Sequence, residues 1–309
     1  MINADYDLII IGGGPAGLTA GIYAARARLN VVLIEKTAPG GQVLVTDMVE
    51  NYPGFPGGIS GMDLVAKMTE QADQFGLKIK SGDVVAIDFA ETVKTVHLSD
   101  QSLTALSVIV ATGASPRKLE VPGEDRFFGK GLSTCATCDA PFYKEKTVAA
   151  VGGGDTAVQE SLFLTRFAKK VYLIHRRDEL RATAILQERA FVNDKIEILW
   201  DTIVTGMDGL FGLEKLAIKN VKTGEAGELA VDGCFVWVGI QPNGTFLADS
   251  VEHDAYGFIL TDENMESSAA GIFAAGDGRS KTVRQISTAV GDGAVAALSS
   301  EHYMESVRK

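Results

Sequence analysis

One strand–turn–helix–strand pattern occurs twice in this chain, and few folds can house it twice. Residues 6–11 (YDLIII) form an apolar run that breaks into glycines at 12, 13 and 14, followed by Pro15, Ala16 and Gly17. A helix is predicted over 18–29 and a second strand over 31–35, ending on Glu35. The order returns from Thr147, with a strand, glycines at 152, 153 and 154, a helix predicted over 158–168, and a strand over 171–175 ending on His175. Continuous apolar strands suit a parallel sheet covered on both faces, and a glycine turn after the first strand of a βαβ unit suits a dinucleotide. The fold class that follows is α/β, with two Rossmann-like dinucleotide-binding domains.

The remaining apolar runs arrange themselves around these units. Strands are predicted at 107–113, 234–238 and 271–277, and a closing helix at 285–298. Ala114-Ser115-Pro116 and the Gly239–Asn243 stretch read as crossings between domains. The predicted organisation is a discontinuous outer domain, 1–115 and 245–309, with the second domain, 116–244, inserted into it. A chain of 309 residues has room for two such cores.

The glycine spacing explains how each unit would hold phosphate. Gly12 permits the tight turn, Gly14 lets backbone N–H groups approach a pyrophosphate, and Gly17 lets the helix pack close to the strand. The helix N-terminus adds its partial positive charge. Glu35 ends the second strand, where a carboxylate can accept hydrogen bonds from ribose hydroxyls. The second unit has Gly152, Gly154 and Ala157 in the same places. At the same offset from the leading glycine (12 to 35, 152 to 175) it carries His175-Arg176-Arg177 in place of an acid, with Arg181 beyond. Guanidinium groups bind a 2′-phosphate through charge-assisted hydrogen bonds, whereas an acid would repel it. The first unit therefore suits an unphosphorylated adenosine and the second suits NADPH. A helix starting at Asp178 would place Arg177 and Arg181 near one face.

The chain has three cysteines, Cys135, Cys138 and Cys234. Two form a Cys-x-x-Cys within the inserted domain, a spacing that can close a small disulfide ring whose thiolates are favoured by local hydrogen bonds and dipoles. A zinc site needs three or four ligands. The candidates Cys234, His97, His175, His253 and His302 are scattered or already used, so no metal is expected. A structural cysteine pair without chemistry remains the other reading of the residues. A net charge of −11 leaves no electrostatic footprint for nucleic acid and disfavours anionic membranes. No leader or ~18-residue apolar span is visible, and the expected location is cytoplasmic.

Taken in order, G-G-G-P-A-G, G-G-Q-V at 40–43, E-N-Y-P-G at 50–54, A-T-G-A-S at 111–115, C-A-T-C-D, G-G-G-D-T-A, H-R-R-D-E-L-R-A, G-I-Q-P-N and F-A-A-G-D followed by R-Q run from end to end of the chain. This ordered set resembles the low-molecular-weight, bacterial-type thioredoxin reductases, FAD- and NADPH-dependent pyridine nucleotide-disulfide oxidoreductases. The resemblance implies an NADPH domain inserted into a discontinuous FAD domain. It implies FAD contacts by Gly12, Gly14, Pro15, Ala16, Gly17, Glu35, Lys36, Gly41, Gln42, Asn51, Val84, Ala111, Thr112, Gly113, Gly276, Asp277, Arg284, Gln285 and Ile286. NADPH contacts are implied for Gly154, Asp155, Thr156, His175, Arg176, Arg177 and Arg181.

The same resemblance implies that Cys138 faces the flavin, that Cys135 attacks the substrate disulfide, and that Asp139 is the nearby acid/base. It implies a homodimer, thioredoxin or a thioredoxin-like protein as partner, and rotation of the inserted domain on linkers near 114–118 and 240–244. Ala140-Pro141 and the stretch 277–281 depart from the common pattern, the first bearing on partner docking and the second on side-chain contacts to flavin. Rival readings are a reductase feeding a peroxidase, though no added redox domain is expected upstream of Tyr6; a ferredoxin-fed reductase, which would lack the His175-Arg176-Arg177 signature; and a non-catalytic flavin-binding protein.

Overall fold

The computed structural model describes residues 4–46, 48–89, 92–247 and 250–308, except the side chains of Val45, Cys138 and Thr245. Two compact units emerge: Met1–Ser115 with Gln241–Lys309, and Pro116–Ile240.

The first unit opens with β1 (Tyr6–Ile11), α1 (Pro15–Arg26) and β2 (Val31–Glu35), followed by α2 (Gly61–Gln74) and β3 (Lys78–Ser81). A meander of β4 (Val84–Asp88), β5 (Lys94–Leu98) and β6 (Ser102–Val110) leads to the short β7 (Ala114–Pro116). The second unit holds α3 (Glu124–Phe127), β8 (Leu132–Ser133), α4 (Ala136–Asp139), β9 (Thr147–Gly152), α5 (Asp155–Leu164), β10 (Lys170–Ile174), α6 (Ala184–Phe191) and β11 (Ile196–Leu199). It continues through β12 (Thr202–Asp208), β13 (Lys215–Asn220), β14 (Ala226–Ala230) and β15 (Gly233–Trp237). The chain returns along β16 (Ile240–Pro242), which pairs with β7, and ends with β17 (Ile272–Ala274) and α7 (Ile286–Val307).

In the first unit the strands lie in the order β3-β2-β1-β6-β5-β4, with β17 also on β6. The β1 contacts to β2 and β6 are parallel, while β4, β5 and β6 pair antiparallel. Alternate β1 side chains serve two cores. Leu8 and Ile10 pack toward α1, α2 and α7, with Leu18, Leu64 and Ala296. Ile9 and Ile11 pack on the other face with Val96, Leu98 and Leu247. Burying each such aliphatic side chain stabilises by about 1.5–3 kcal/mol, which explains the unbroken apolar runs.

The second unit repeats the scheme with β11-β10-β9-β15-β8. One face is covered by α4, the 3-10 turn that follows it and α5, through Ala136, Ala140, Val158 and Leu164. The other is covered by the antiparallel β12–β14 sheet, through Val204 and Leu216.

Three expectations shift. Both unit helices begin at the residue after the third glycine of the turn, Pro15 and Asp155, and the final helix runs on to Val307. The second crossing lies at 240/241 rather than 244/245, because Asn243 is held by the first unit. Its backbone N–H donates to the Gly113 carbonyl at 3.0 Å, its Nδ2 to the Thr112 carbonyl at 3.1 Å, and its Oδ1 accepts from Ser115 Oγ at 2.7 Å. Finally, no helix starts at Asp178, and the chain stays irregular until α6.

Candidate functional site

A cavity of about 610 Å³ opens in the first unit at the carboxyl ends of β1, β2 and β6. This is where open α/β sheets place ligands, and the volume is typical of a cofactor site. Gly12, Gly14, Pro15, Ala16, Glu35, Lys36, Gly41, Gln42, Val84, Ala111, Thr112, Gly113, Gly276, Asp277, Gln285 and Ile286 all line it. Gly12 has φ +105°, and a Cβ there would strike the Ala111 carbonyl. A Cβ on Gly17 would strike the Gly12 carbonyl oxygen, so glycine is what lets α1 close on the turn. At Gly14 a Cβ would meet nothing within 4 Å, leaving space on the cavity side.

Two of the carboxylates that line this cavity bear on what it could hold. Glu35 Oε2 accepts from the Gly13 N–H at 2.6 Å and Oε1 from the Thr37 N–H at 3.0 Å, fixing the acid beside the glycine turn. Asp277 Oδ1 is buried without a hydrogen-bond partner. Burial pushes the Asp277 carboxyl above its ordinary range, against the pull of Lys281 and Arg284. A buried polar atom left without a partner is costly, and one that lines a cavity is suited to a hydroxyl-bearing ligand. These residues fit FAD: an acid at the ribose position, open backbone for a pyrophosphate, and an unsatisfied carboxyl for a polyhydroxyl chain.

Three residues expected here stand behind the lining. Gly17 lies under the turn. Asn51 Nδ2 donates to Gln285 Oε1 at 3.0 Å. Arg284 stacks over Phe258, 4.0 Å from the ring centroid. The sequence reading missed Gly13, Thr37, Asp83, Ser115, Asn243, Phe246 and Ala289 among the lining residues. Asp83 pairs with Lys36 at 2.8 Å. Gly13, Ser115 and Asn243 carried a signal, as members of G-G-G-P-A-G, A-T-G-A-S and G-I-Q-P-N; the others carried none.

The second glycine turn is built differently. His175 is buried, and a Cβ on Gly153 would strike its imidazole ring. The ring also packs edge-on against Trp200, 6.4 Å between centroids. Burial holds the His175 pKa below its ordinary value, with Arg181, Arg177 and Arg176 pressing the same way and a backbone hydrogen bond at Glu179 opposing. The histidine thus supports the turn from beneath, while Arg176, Arg177 and Arg181 are exposed.

Backbone donors that a helix would use are committed elsewhere. The Arg181 N–H donates to the Gly153 carbonyl at 2.7 Å, and the Thr183 N–H to Asp155 Oδ1 at 2.6 Å. Asp178 is drawn to Lys222 Nζ at 2.7 Å. Arg177 and Arg181 therefore sit on an irregular loop tied to the glycine turn. Among the described residues, no carboxylate forms a salt bridge with the three arginines. Gly154, Asp155 and Thr156 form the turn and the start of α5. A Cβ on Gly154 would meet nothing within 4 Å.

Cys135 immediately precedes α4 and is disulfide-bonded. Cys138 lies on α4, with its side chain outside the described residues. The Cys135 N–H donates to Ser133 Oγ at 3.0 Å, its Sγ lies 3.4 Å from Thr137 Oγ1, and the Asp139 N–H donates to its carbonyl at 3.3 Å. Trp237 Nε1 donates to the Thr134 carbonyl at 3.1 Å, pinning the approach to the cysteine. The departure at Ala140-Pro141 places a proline in the first turn of the 3-10 helix Ala140–Tyr143. Tyr143 then packs edge-on to Phe235, 5.4 Å between centroids, and Phe142 is exposed. Cys234 is a buried free thiol, held protonated by burial, in the core on the opposite face of the sheet from α4. Among the described residues no three His, Cys, Asp or Glu side chains cluster for a metal. None of the described helices is long and apolar enough to cross a membrane.

Comparison with known proteins agrees with this geometry. The family described as pyridine nucleotide-disulphide oxidoreductase matches residues 6–293. A thioredoxin reductase of Peptoclostridium litorale is 44% identical over 306 residues, covering 97% of each chain. One from Bacillus subtilis is 44% identical over 305 residues, covering 98% of this chain and 96% of that protein. The crystal structure of Lactococcus lactis thioredoxin reductase superposes with a TM-score of 0.96 at 43% identity, covering 98% of this chain and 100% of the other.

Proposed function

The chain belongs to the pyridine nucleotide-disulphide oxidoreductase family, and from that premise we propose that it is an NADPH-dependent thioredoxin-disulfide reductase. The observation that carries the reading is the presence in one unit of a disulfide-bonded Cys135 and a dinucleotide turn flanked by unpaired, exposed arginines. The relatives' names supply thioredoxin as the partner. A cytoplasmic homodimer accompanies the reading and rests on the family resemblance.

FAD, when bound, accepts hydride from the nicotinamide and passes two electrons to a disulfide. The protein's own residues do the rest. Gly13, Gly14 and Glu35 hold the adenosine end of the cavity, and Asp277 and Gln285 the other end. Arg176, Arg177 and Arg181 recognise the 2′-phosphate of NADPH. Cys138 takes the electron pair, the Cys135–Cys138 bond breaks to two thiolates, and one of them takes up the proton delivered with the hydride equivalent.

The Cys135 thiolate then attacks one sulfur of the partner's disulfide, and the other partner sulfur leaves as a thiolate. Cys138 attacks the mixed disulfide, restoring the enzyme's disulfide and releasing a dithiol partner. Asp139, beside the pair, holds and returns the proton that these exchanges require.

Cys138→Ser tests the reading. FAD should stay bound, NADPH should still bleach flavin absorbance, and reduction of oxidised thioredoxin should fall to background. Turnover at the wild-type rate would exclude the dithiol route.

A further inference from the structure

The cavity's Asp277 owes its setting to a carboxylate outside the lining. Asp292, on α7, is nearly fully buried. Its Oδ2 accepts from the Gly276 N–H at 3.0 Å, from Arg279 Nε at 2.9 Å and from Lys281 Nζ at 2.8 Å. Its Oδ1 accepts from Arg279 Nη2 at 3.2 Å. The side chains of Arg279 and Lys281 are 16% and 8% exposed, so this is an interior cluster of one acid and two cations rather than a surface pair.

The cluster grips the turn that carries Asp277 from both sides. Gly276 precedes Asp277 with φ +80°, a backbone setting that few other residues adopt. Its N–H would otherwise be an orphan donor in the interior. Arg279 and Lys281 follow on the other side, within the stretch where the chain departs from the family pattern. The position of Asp292 is itself fixed: a Cβ on the neighbouring Gly293 would strike the Ala16 carbonyl oxygen, so α7 lies directly on α1 at this level. Asp277 remains as the buried acid with an unpartnered oxygen, because Arg279 and Lys281 are engaged by Asp292 and Arg284 lies over the Phe258 ring.

We propose that Asp292 is a positioning residue for the flavin: by holding the Gly276 N–H, Arg279 and Lys281, it keeps the Asp277 carboxyl presented to the cavity and unpaired with protein cations. Asp292 does not itself line the cavity. Without its charge, Arg279 and Lys281 are free to turn to Asp277, taking the oxygen that the ligand would use. The inference rests on the flavin reading of the cavity.

The test uses full-length protein, stripped of FAD and titrated with it, in four forms: wild type, Asp292→Asn, Lys281→Met, and the double variant Asp292→Asn with Lys281→Met. The double variant removes one charge of each sign and guards against a fold lost to two uncompensated cations. Asp292→Asn and the double variant should each raise the FAD dissociation constant about tenfold, the weight of one charge-assisted hydrogen bond. Lys281→Met, which leaves Asp292 on Gly276 and Arg279, should change it by less than about twofold. The flavin midpoint potential of reloaded Asp292→Asn should move to a more positive value, since a negative charge is lost near Asp277. A lowered Tm with wild-type FAD affinity and potential in both Asp292 variants would reduce Asp292 to a structural residue and overturn the proposal. Failure of wild-type apoprotein to bind FAD would instead defeat the flavin reading itself.

Discussion

The two βαβ units share a backbone plan and differ in what stands under the middle glycine. In the first, Glu35 accepts the Gly13 N–H and lines a cavity. In the second, the neutral imidazole of His175 fills the equivalent place, buried beneath Gly153, and the charges move outward to Arg176, Arg177 and Arg181. The same turn can thus be backed by an acid that also lines a cavity, or by a buried imidazole whose Nε2 has no hydrogen-bond partner among the described residues. The first arrangement points to FAD and the second to a 2′-phosphate. On the proposed reading, specificity in each unit sits at the end of the second strand, not in the glycines.

The largest expected effect separates the helix packing of the two turns. The position held by Gly17 in the first unit is held by Ala157 in the second. Gly17→Ala should strongly lower both Tm and FAD content, because the new methyl meets the Gly12 backbone carbonyl and overpacking costs about 1–3 kcal/mol. Ala157→Gly should cost only about 0.5–1 kcal/mol, the price of a glycine in a helix. Thermal unfolding and flavin absorbance compare them, and equal losses would mean that the two turns are packed alike.

Next comes Glu35→Ala. Hydrogen bonds to charged groups contribute about 1.5–3 kcal/mol, and partial exposure favours the lower end, so FAD should bind about tenfold more weakly. The KM for NADPH should not change. A raised NADPH KM with full flavin content would show that the two sites are assigned the wrong way round.

The smallest effect concerns His175. Its folded pKa is depressed, so the stability tied to its neutral form is present above the ordinary histidine value and is lost as pH falls through it. Wild-type Tm should decline between pH 7 and pH 5 more steeply than that of His175→Gln. Identical slopes would place the imidazole in water rather than under Gly153.

Much of this was legible in the sequence because the strands are buried on both faces and the glycines have single backbone tasks. β2 was read to the residue, since its apolar run ends on a charged Glu35 at the cavity. Side-chain roles were less legible. The helix expected from Asp178 fails because Gly153 and Asp155 capture the backbone donors of Arg181 and Thr183. These are contacts between segments that local pattern cannot encode. Asn243 changes units for the same reason. Asp292 gave no local signal at all, because its partners lie 11 to 16 residues away in sequence.

The claim that the second unit is built for a 2′-phosphate is tested most directly by measuring kcat/KM for NADPH and NADH at low ionic strength, in the wild type and in the Arg176→Ala, Arg177→Ala double variant. Two partly exposed arginines at the lower end of charge-assisted hydrogen-bond strength predict a wild-type preference for NADPH of ~10²-fold, carried mostly by KM. The double variant should lose most of that preference while its NADH values change little, and added salt should erode the wild-type preference by screening. Equal kcat/KM for the two nucleotides in the wild type at low salt would contradict the account and make the basic run a solvated surface.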